Sequence, residues 1–119
     1  MQSVQVEHIG DMAIVACEGR IVRSDAAFRL RDAVTSQDDV RTIVLDLTDV
    51  RTIDGGGLGM LTALSRWAQD HDIQLKLFNP AGTVASRLAS YNVAQFDIAT
   101  FSEMMDLVAH AEGQRAKAA

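Results

Sequence analysis

Long apolar runs are missing from this 119-residue chain. Nothing in it approaches the ~20 consecutive apolar residues that span a bilayer. The opening Met1-Gln-Ser-Val-Gln-Val-Glu-His8 has neither the basic stretch nor the apolar core of a secretory leader. The expected location is therefore the cytoplasm, without membrane insertion. Cysteine is nearly missing too: Cys17 stands alone, which excludes an internal disulfide, and its setting in Met12-Ala-Ile-Val-Ala-Cys17 is that of a buried strand residue. Basic residues are few and scattered, 11 against 16 acidic ones for a net charge of -5. Phosphate binding wants a clustered basic surface, so nucleic acid is not an expected partner. The three histidines, His8, His71 and His110, have neither H-x-x-x-H nor H-E-x-x-H spacing, and no metal site or cofactor is expected. Asp46 and Asp54 have the look of an acid/base pair but bring no nucleophile or oxyanion donor with them, which reads against an enzyme.

What is present is enough for one domain. A chain of this length buries roughly 65% of its unfolded surface around a single core, and 48% apolar content suits a globular protein. No internal repeat or linker interrupts it; residues 1–112 read as the domain and 113–119 as a frayed tail. Val4-Gln-Val6 and Met12 to Glu18 have strand composition, with a hairpin turn at Gly10 between them. Ser24 is placed to cap a first helix, Asp25 to about Thr35, whose Ala26, Ala27, Leu30, Ala33 and Val34 share a face while Phe28 falls on the opposite one. Thr42 to Leu47 reads as a strand covered on both sides. A helix from about Leu58 to Asp70 follows, then strand Gln74 to Phe78, a turn at Asn79-Pro80-Ala-Gly82, and a short helix with Val84, Leu88 and Tyr91 on one stripe. A last strand includes Phe96-Asp-Ile98. Thr100-Phe-Ser-Glu103 fits a capping box that opens a final helix with Met104, Leu107, Val108 and Ala111 on one side. The order β-β-α-β-α-β-α-β-α predicts an α/β fold, a mixed sheet with helices mainly on one face and right-handed crossovers.

The most distinctive stretch is Thr52-Ile53-Asp54-Gly55-Gly56-Gly57-Leu58-Gly59-Met60, a glycine-rich passage from strand to helix. Such a passage marks a tight turn with positive φ, or a place where something approaches the backbone at a helix N-terminus. Spacing excludes nucleotide motifs, since the run satisfies neither G-x-G-x-x-G nor the Gly-Lys-Ser/Thr ending of a P-loop. Asp54 is placed to N-cap the helix, and Asp46 to organise a neighbouring loop. On the helix itself, Met60, Leu61, Ala63, Leu64, Trp67 and Ala68 span an arc of roughly 160°, wider than the ~100° that burial against one sheet needs. The Met60, Ala63 and Trp67 edge is thus a candidate extension of a binding patch, or the periphery of the core, and Phe28 is a second exposed candidate.

With Leu45-Asp46-Leu47 before it, the segment Ile53-Asp54-Gly55-Gly56-Gly57-Leu58-Gly59 resembles the core motif of STAS domains, where Ile-Asp-Ser-Ser-Gly-Leu-Gly or Ile-Asp-Ser-Ala-Gly-Leu-Gly follows such a strand. The likeness extends through Gly19-Arg20-Ile21-Val22, Leu30 to Val34, Leu75-Lys-Leu-Phe-Asn79 and Tyr91 to Met105. The resemblance implies a STAS-like sheet and a protein-interaction module of bacterial signalling: an anti-sigma factor antagonist that docks on an anti-sigma factor, often a serine kinase. The docking residues it implies are Asp54, Gly55, Gly56, Gly57 and Leu58, with Met60 and Trp67 beside them. The family's phosphoacceptor falls on Gly56, and Gly55 replaces the neighbouring serine, so no hydroxyl stands at the motif position. Val22 stands where many relatives carry an aspartate. A regulatory STAS subunit of a transport assembly and a small-ligand or nucleotide sensor are the alternatives.

Overall fold

In the computed structural model, which describes residues 3–21, 25–37, 39–92 and 96–118, the side chains of 25–27, 91–92 and 114–118 aside, the first turn is made by Gly10 and Asp11. Strands β1 (Ser3–Ile9) and β2 (Met12–Ile21) pair antiparallel with Ile9 opposite Met12. Gly10 takes φ 57°, a value a two-residue hairpin readily gives to glycine. Helix α1 (Asp25–Thr35) crosses to β3 (Thr42–Ile53), which lies parallel to β2; α2 (Gly55–Asp70) leads to β4 (Gln74–Phe78), and α3 (Gly82–Asn92) to the two-residue β5 (Ile98–Ala99). The sheet order is β1-β2-β3-β4-β5. Helix α4 (Phe101–Ala118) closes the chain and runs on through Gly113, past the boundary at which the sequence placed a frayed tail. The expected cap Ser24 and the departure at Val22 lie outside the described residues.

Strand alternation sorts the core into two layers. Ala13, Val15 and Cys17 of β2 and Ile43, Leu45 and Leu47 of β3 point to the face covered by Leu30 and Val34 of α1, Leu58, Leu61, Leu64 and Ala68 of α2, and Val84 and Leu88 of α3. The other face carries Met12 and Val44, and α4 covers it with Met104 and Ala111 while Leu107 and Val108 pack alongside. Burial on both sides is why Ile43-Val44-Leu45 is unbroken in its apolarity. Beyond Val44 that second face turns polar, at Asp46 and Thr48.

Strand β3 is twice the expected length, and its second half is irregular. The partner register steps from Ala16↔Asp46 to Glu18↔Asp49, then from Gly19↔Val50 to Arg20↔Thr52, so β3 carries two residues more than β2 over this stretch. Leu47, Val50 and Ile53 therefore reach the same core at intervals of three. Asp46 stabilises the first irregularity: its Oδ1 accepts from the Thr48 backbone N–H at 3.0 Å and from the Thr48 hydroxyl at 2.5 Å. Gly19 meets the distortion on β2 with φ 100°, open to glycine and strained for other residues.

The capping box forms as the sequence predicts. Glu103 N–H donates to Thr100 Oγ1 at 3.1 Å, and Thr100 N–H donates to Glu103 Oε1 at 3.2 Å. Lys76, 7% exposed, ties this corner together, its Nζ at 2.8 Å from Asp97 and 3.7 Å from Glu103.

Candidate functional site

The glycine segment is not a loop. Helix α2 begins at Gly55, three residues earlier than the sequence suggested, so Asp54 to Gly59 is an N-cap and a first helical turn. Asp54 is extended, with φ -105° and ψ -177°. Its Oδ1 accepts from the Gly57 N–H at 2.8 Å, its carbonyl from the Leu58 N–H at 2.9 Å, and its own N–H donates to the Ile21 carbonyl at 3.2 Å. One residue thus fixes the helix start and the helix to the end of β2. The positive-φ glycines among the described residues are Gly10 and Gly19, so Gly55, Gly56 and Gly57 need no left-handed backbone.

Gly55, Gly57 and Gly59 differ in what surrounds them. A Cβ at Gly57 would stand 2.3 Å from the Ile21 carbonyl oxygen and 2.9 Å from Ile53 Cγ1, so the close approach of α2 to the sheet requires glycine there. Nothing lies within 4 Å of a Cβ at Gly55 or Gly59. Gly55 and Gly56 are exposed, and by helix geometry their N–H groups have no acceptor within the helix. With the positive end of the helix dipole they make a bare, donor-rich surface.

Of the residues expected to meet a partner, Gly57 and Leu58 face the core, Leu58 at 5% exposure. They shape the surface from below. Met60 is half-buried and Ala63 exposed, while Trp67 is half-buried, packs against the main core and stacks on His71 with centroids 4.6 Å apart. His71 Nδ1 lies 2.8 Å from the Trp67 carbonyl, which ties the ring to the helix end. Trp67 therefore belongs to the rim of the core with one side in solvent. Phe28 is 53% exposed on α1, which packs beside α2, and the Arg31 guanidinium sits 5.0 Å from its ring centroid.

Asp46 and Asp54 are separated by roughly 25 Å of strand, and each carboxylate is engaged by backbone N–H groups of its own neighbourhood. They do not form a site together. Cys17 is buried, and its thiol is pushed up from 9.0 to about 12, chiefly by burial and then by the charge of Asp46, so it stays protonated. A groove of about 740 Å³ that sequence reading missed lies beside the irregular half of β3, lined by Glu18, Gly19, Thr48, Asp49, Val50, Arg51 and Ala81. Its residues come from three separate segments and carry no motif. Among the described residues no helix is long and apolar enough to cross a membrane.

Residues 3–108 match the family model described as STAS domain. Comparison with curated protein sequences finds no match. Among solved structures, the anti-sigma factor antagonist SpoIIAA in its unphosphorylated form is similar over 91% of this chain and 97% of its own, at 19% identity and TM-score 0.74. An anti-sigma factor antagonist from Mycobacterium paratuberculosis is similar over 91% of this chain and 94% of its own, at 18% identity and TM-score 0.76. The murine anion transporter Slc26a9 is similar over 95% of this chain but only 19% of its own, at 18% identity and TM-score 0.64.

Proposed function

The chain belongs to the STAS domain family, and from that premise we propose that it is an anti-sigma factor antagonist of bacterial signalling, binding an anti-sigma factor through the first turn of α2 and the edge beyond it. The observation that carries this reading is the exposed Gly55–Gly56 pair, helical, capped by Asp54 and without side chains at the place of the family's phosphoacceptor. Asp54 fixes the turn, Gly55 and Gly56 admit the partner's surface to the backbone, Gly57 and Leu58 seat the turn on the core, and Met60 and Trp67 give apolar contact along the helix. In the family, phosphate on the loop serine adds about −1.5 to −2 charges and blocks docking. Gly56 offers no oxygen to modify, so the surface stays in its binding-competent form unless control lies elsewhere.

Gly56→Asp tests this. Gly56 is helical and exposed, and a carboxylate at a helix N-terminus does not weaken the fold. Binding to the anti-sigma partner, identified by affinity capture and measured by titration calorimetry, should fall about tenfold or more, ~1.4 kcal/mol, while thermal stability holds or rises. Gly56→Ala, which adds no charge, should bind between the two. Equal binding by all three proteins would remove this turn from the docking surface.

A second reading, a regulatory domain of a transport assembly, is favoured by the likeness of fold to Slc26a9. Capture of a transporter subunit instead of an anti-sigma factor would select it.

A further inference from the structure

Strand β1 is an open edge of the sheet, and its sequence is complementary to a second copy of itself. In the order β1-β2-β3-β4-β5 the other edge is β5, two residues long, whereas β1 runs for seven, Ser3–Ile9, in unbroken register with β2. It carries none of the devices that blunt an edge: no proline, no lysine and no bulge. The two-residue turn makes Ile9 and Met12 a hydrogen-bonded pair, so Glu7, Gln5 and Ser3 bond to β2 as well, while Val4, Val6 and His8 aim their N–H and C=O groups away from the sheet. Among the described residues β1 pairs with β2 alone, and no other backbone bond reaches it. We propose that this edge pairs antiparallel with β1 of a second copy of the chain, about a two-fold axis at Gln5, joining the two sheets into one.

The edge chemistry demands a strand as occupant, since only extended backbone matches donors and acceptors that recur at every second residue. Side chains then select which strand, and in what register. With Gln5 opposite Gln5 of the copy, Val4 stands opposite Val6 of the copy and Val6 opposite its Val4, and each of these two pairs exchanges two main-chain hydrogen bonds. The four valines lie on the main-core face, where Val4 already packs and Val6 is left 38% exposed, so the pairing covers the apolar surface that the single chain leaves in water. On the other face Glu7 stands opposite Ser3 of the copy, and no like charges meet. Moving the axis to Val6 sets the two Glu7 side chains on one diagonal and opposes Val4 to His8, and moving it to Glu7 opposes the carboxylates directly. Gln5 is the centre at which both valine pairs form and the charges stay apart.

Helix α4 widens the contact. It starts beside β5, crosses the sheet to Ile9, against which its last core residue Ala111 packs, and runs ~10 Å further, past the β1 edge on the side where the copy lies. The inference does not rest on the proposed function. The first turn of α2 follows β3, two strands in from this edge, and stays open in the dimer.

Sedimentation equilibrium of the full chain from about 5 to about 500 µM should show the mass rising from 12.9 kDa toward twice that value. Val6→Lys should keep the chain monomeric throughout with an unchanged thermal melt, because the residue lies outside the core and the lysine puts a charge on the edge. Gln5→Cys places the two sulfurs on a non-hydrogen-bonded pair with Cα atoms about 4.5 Å apart, and should form a disulfide-linked dimer in air. Glu7→Cys, exposed as Gln5 is and on the same face, stands roughly 13 Å along the strand from its counterpart and should not. A wild type that stays monomeric at the highest concentration overturns the proposal. So does a dimer indifferent to Val6→Lys, or equal cross-linking of the two cysteine variants.

Discussion

Gly55 and Gly57 sit two positions apart in one helical turn, and their surroundings give them opposite responses to the same methyl group. Gly57→Ala forces a Cβ to within 2.3 Å of the Ile21 carbonyl oxygen, a backbone atom that cannot move aside without shifting α2 off the sheet. We expect a loss of more than ~2 kcal/mol, or no folded protein. Gly55→Ala and Gly59→Ala place the methyl in open space inside a helix, where alanine is preferred over glycine by up to ~1 kcal/mol. Urea denaturation of the three variants checks this, and a Gly57→Ala protein as stable as wild type would mean the helix is not held as close as described. Residue roles of this kind were only half legible. The N-cap at Asp54 could be read because its chemistry is local. Which glycine packs and which is free depends on Ile21 and Ile53, remote in sequence from one another, and no spacing announces it.

Helix α2 ends on a non-glycine residue in left-handed backbone. Asp72 takes φ 55°; its N–H donates to the Gln69 carbonyl at 3.2 Å, and the Ile73 N–H donates to the Ala68 carbonyl at 2.8 Å. These are the paired bonds of a Schellman end, in which glycine is the favoured occupant and aspartate a tolerated one. Asp72→Gly should therefore raise stability by ~0.5 kcal/mol, and β-branched Asp72→Val should lower it by ~1–2 kcal/mol, measured by thermal melts. The reverse order would show that this end is not left-handed. Elements with local signals came through the sequence well: the hairpin at Gly10, the Thr100–Glu103 box, Leu30, Ala33 and Val34 on the core side of α1, and Val84 and Leu88 on that of α3, while the side chains of Ala26, Ala27 and Tyr91 lie outside the described ones. At that box, hydrogen bonds from Thr100, its backbone N–H first, hold the Glu103 carboxyl below its usual 4.5, so the cap is complete above that value and is lost as pH falls. The second half of β3 was missed because Asp49, Arg51 and Thr52 break a period of two. Leu47, Val50 and Ile53 recur at intervals of three, which is a strand pattern only once two extra residues are accommodated against β2. The early start of α2 was missed for a different reason: three consecutive glycines have poor helix propensity, and the Asp54 cap and the fit of Gly57 against β2 override it.

At the scale of the whole molecule, the one cysteine reports whether the main core is closed. Cys17 lies on the sheet face beneath three helices and is 2% exposed. Burial first, and Asp46 second, raise its thiol from 9.0 to about 12. Above pH 9 the unfolded chain releases this proton while the folded one keeps it. Stability is therefore full below pH 9 and should decline by about 1.4 kcal/mol per pH unit until the folded thiol ionises near 12. Cys17→Ala removes the titrating group. It should cost ~1 kcal/mol at pH 7 through lost packing, yet fall less steeply between pH 9 and 11. Urea denaturation of both proteins across that range supplies the measurement. Identical slopes would mean that the thiol ionises within the folded protein, which contradicts its burial. A thiol reagent at pH 8 gives an independent reading: labelling should be slow in buffer and rise with urea along the same transition as the circular dichroism, because the sulfur meets solvent when the main core beneath α1, α2 and α3 opens.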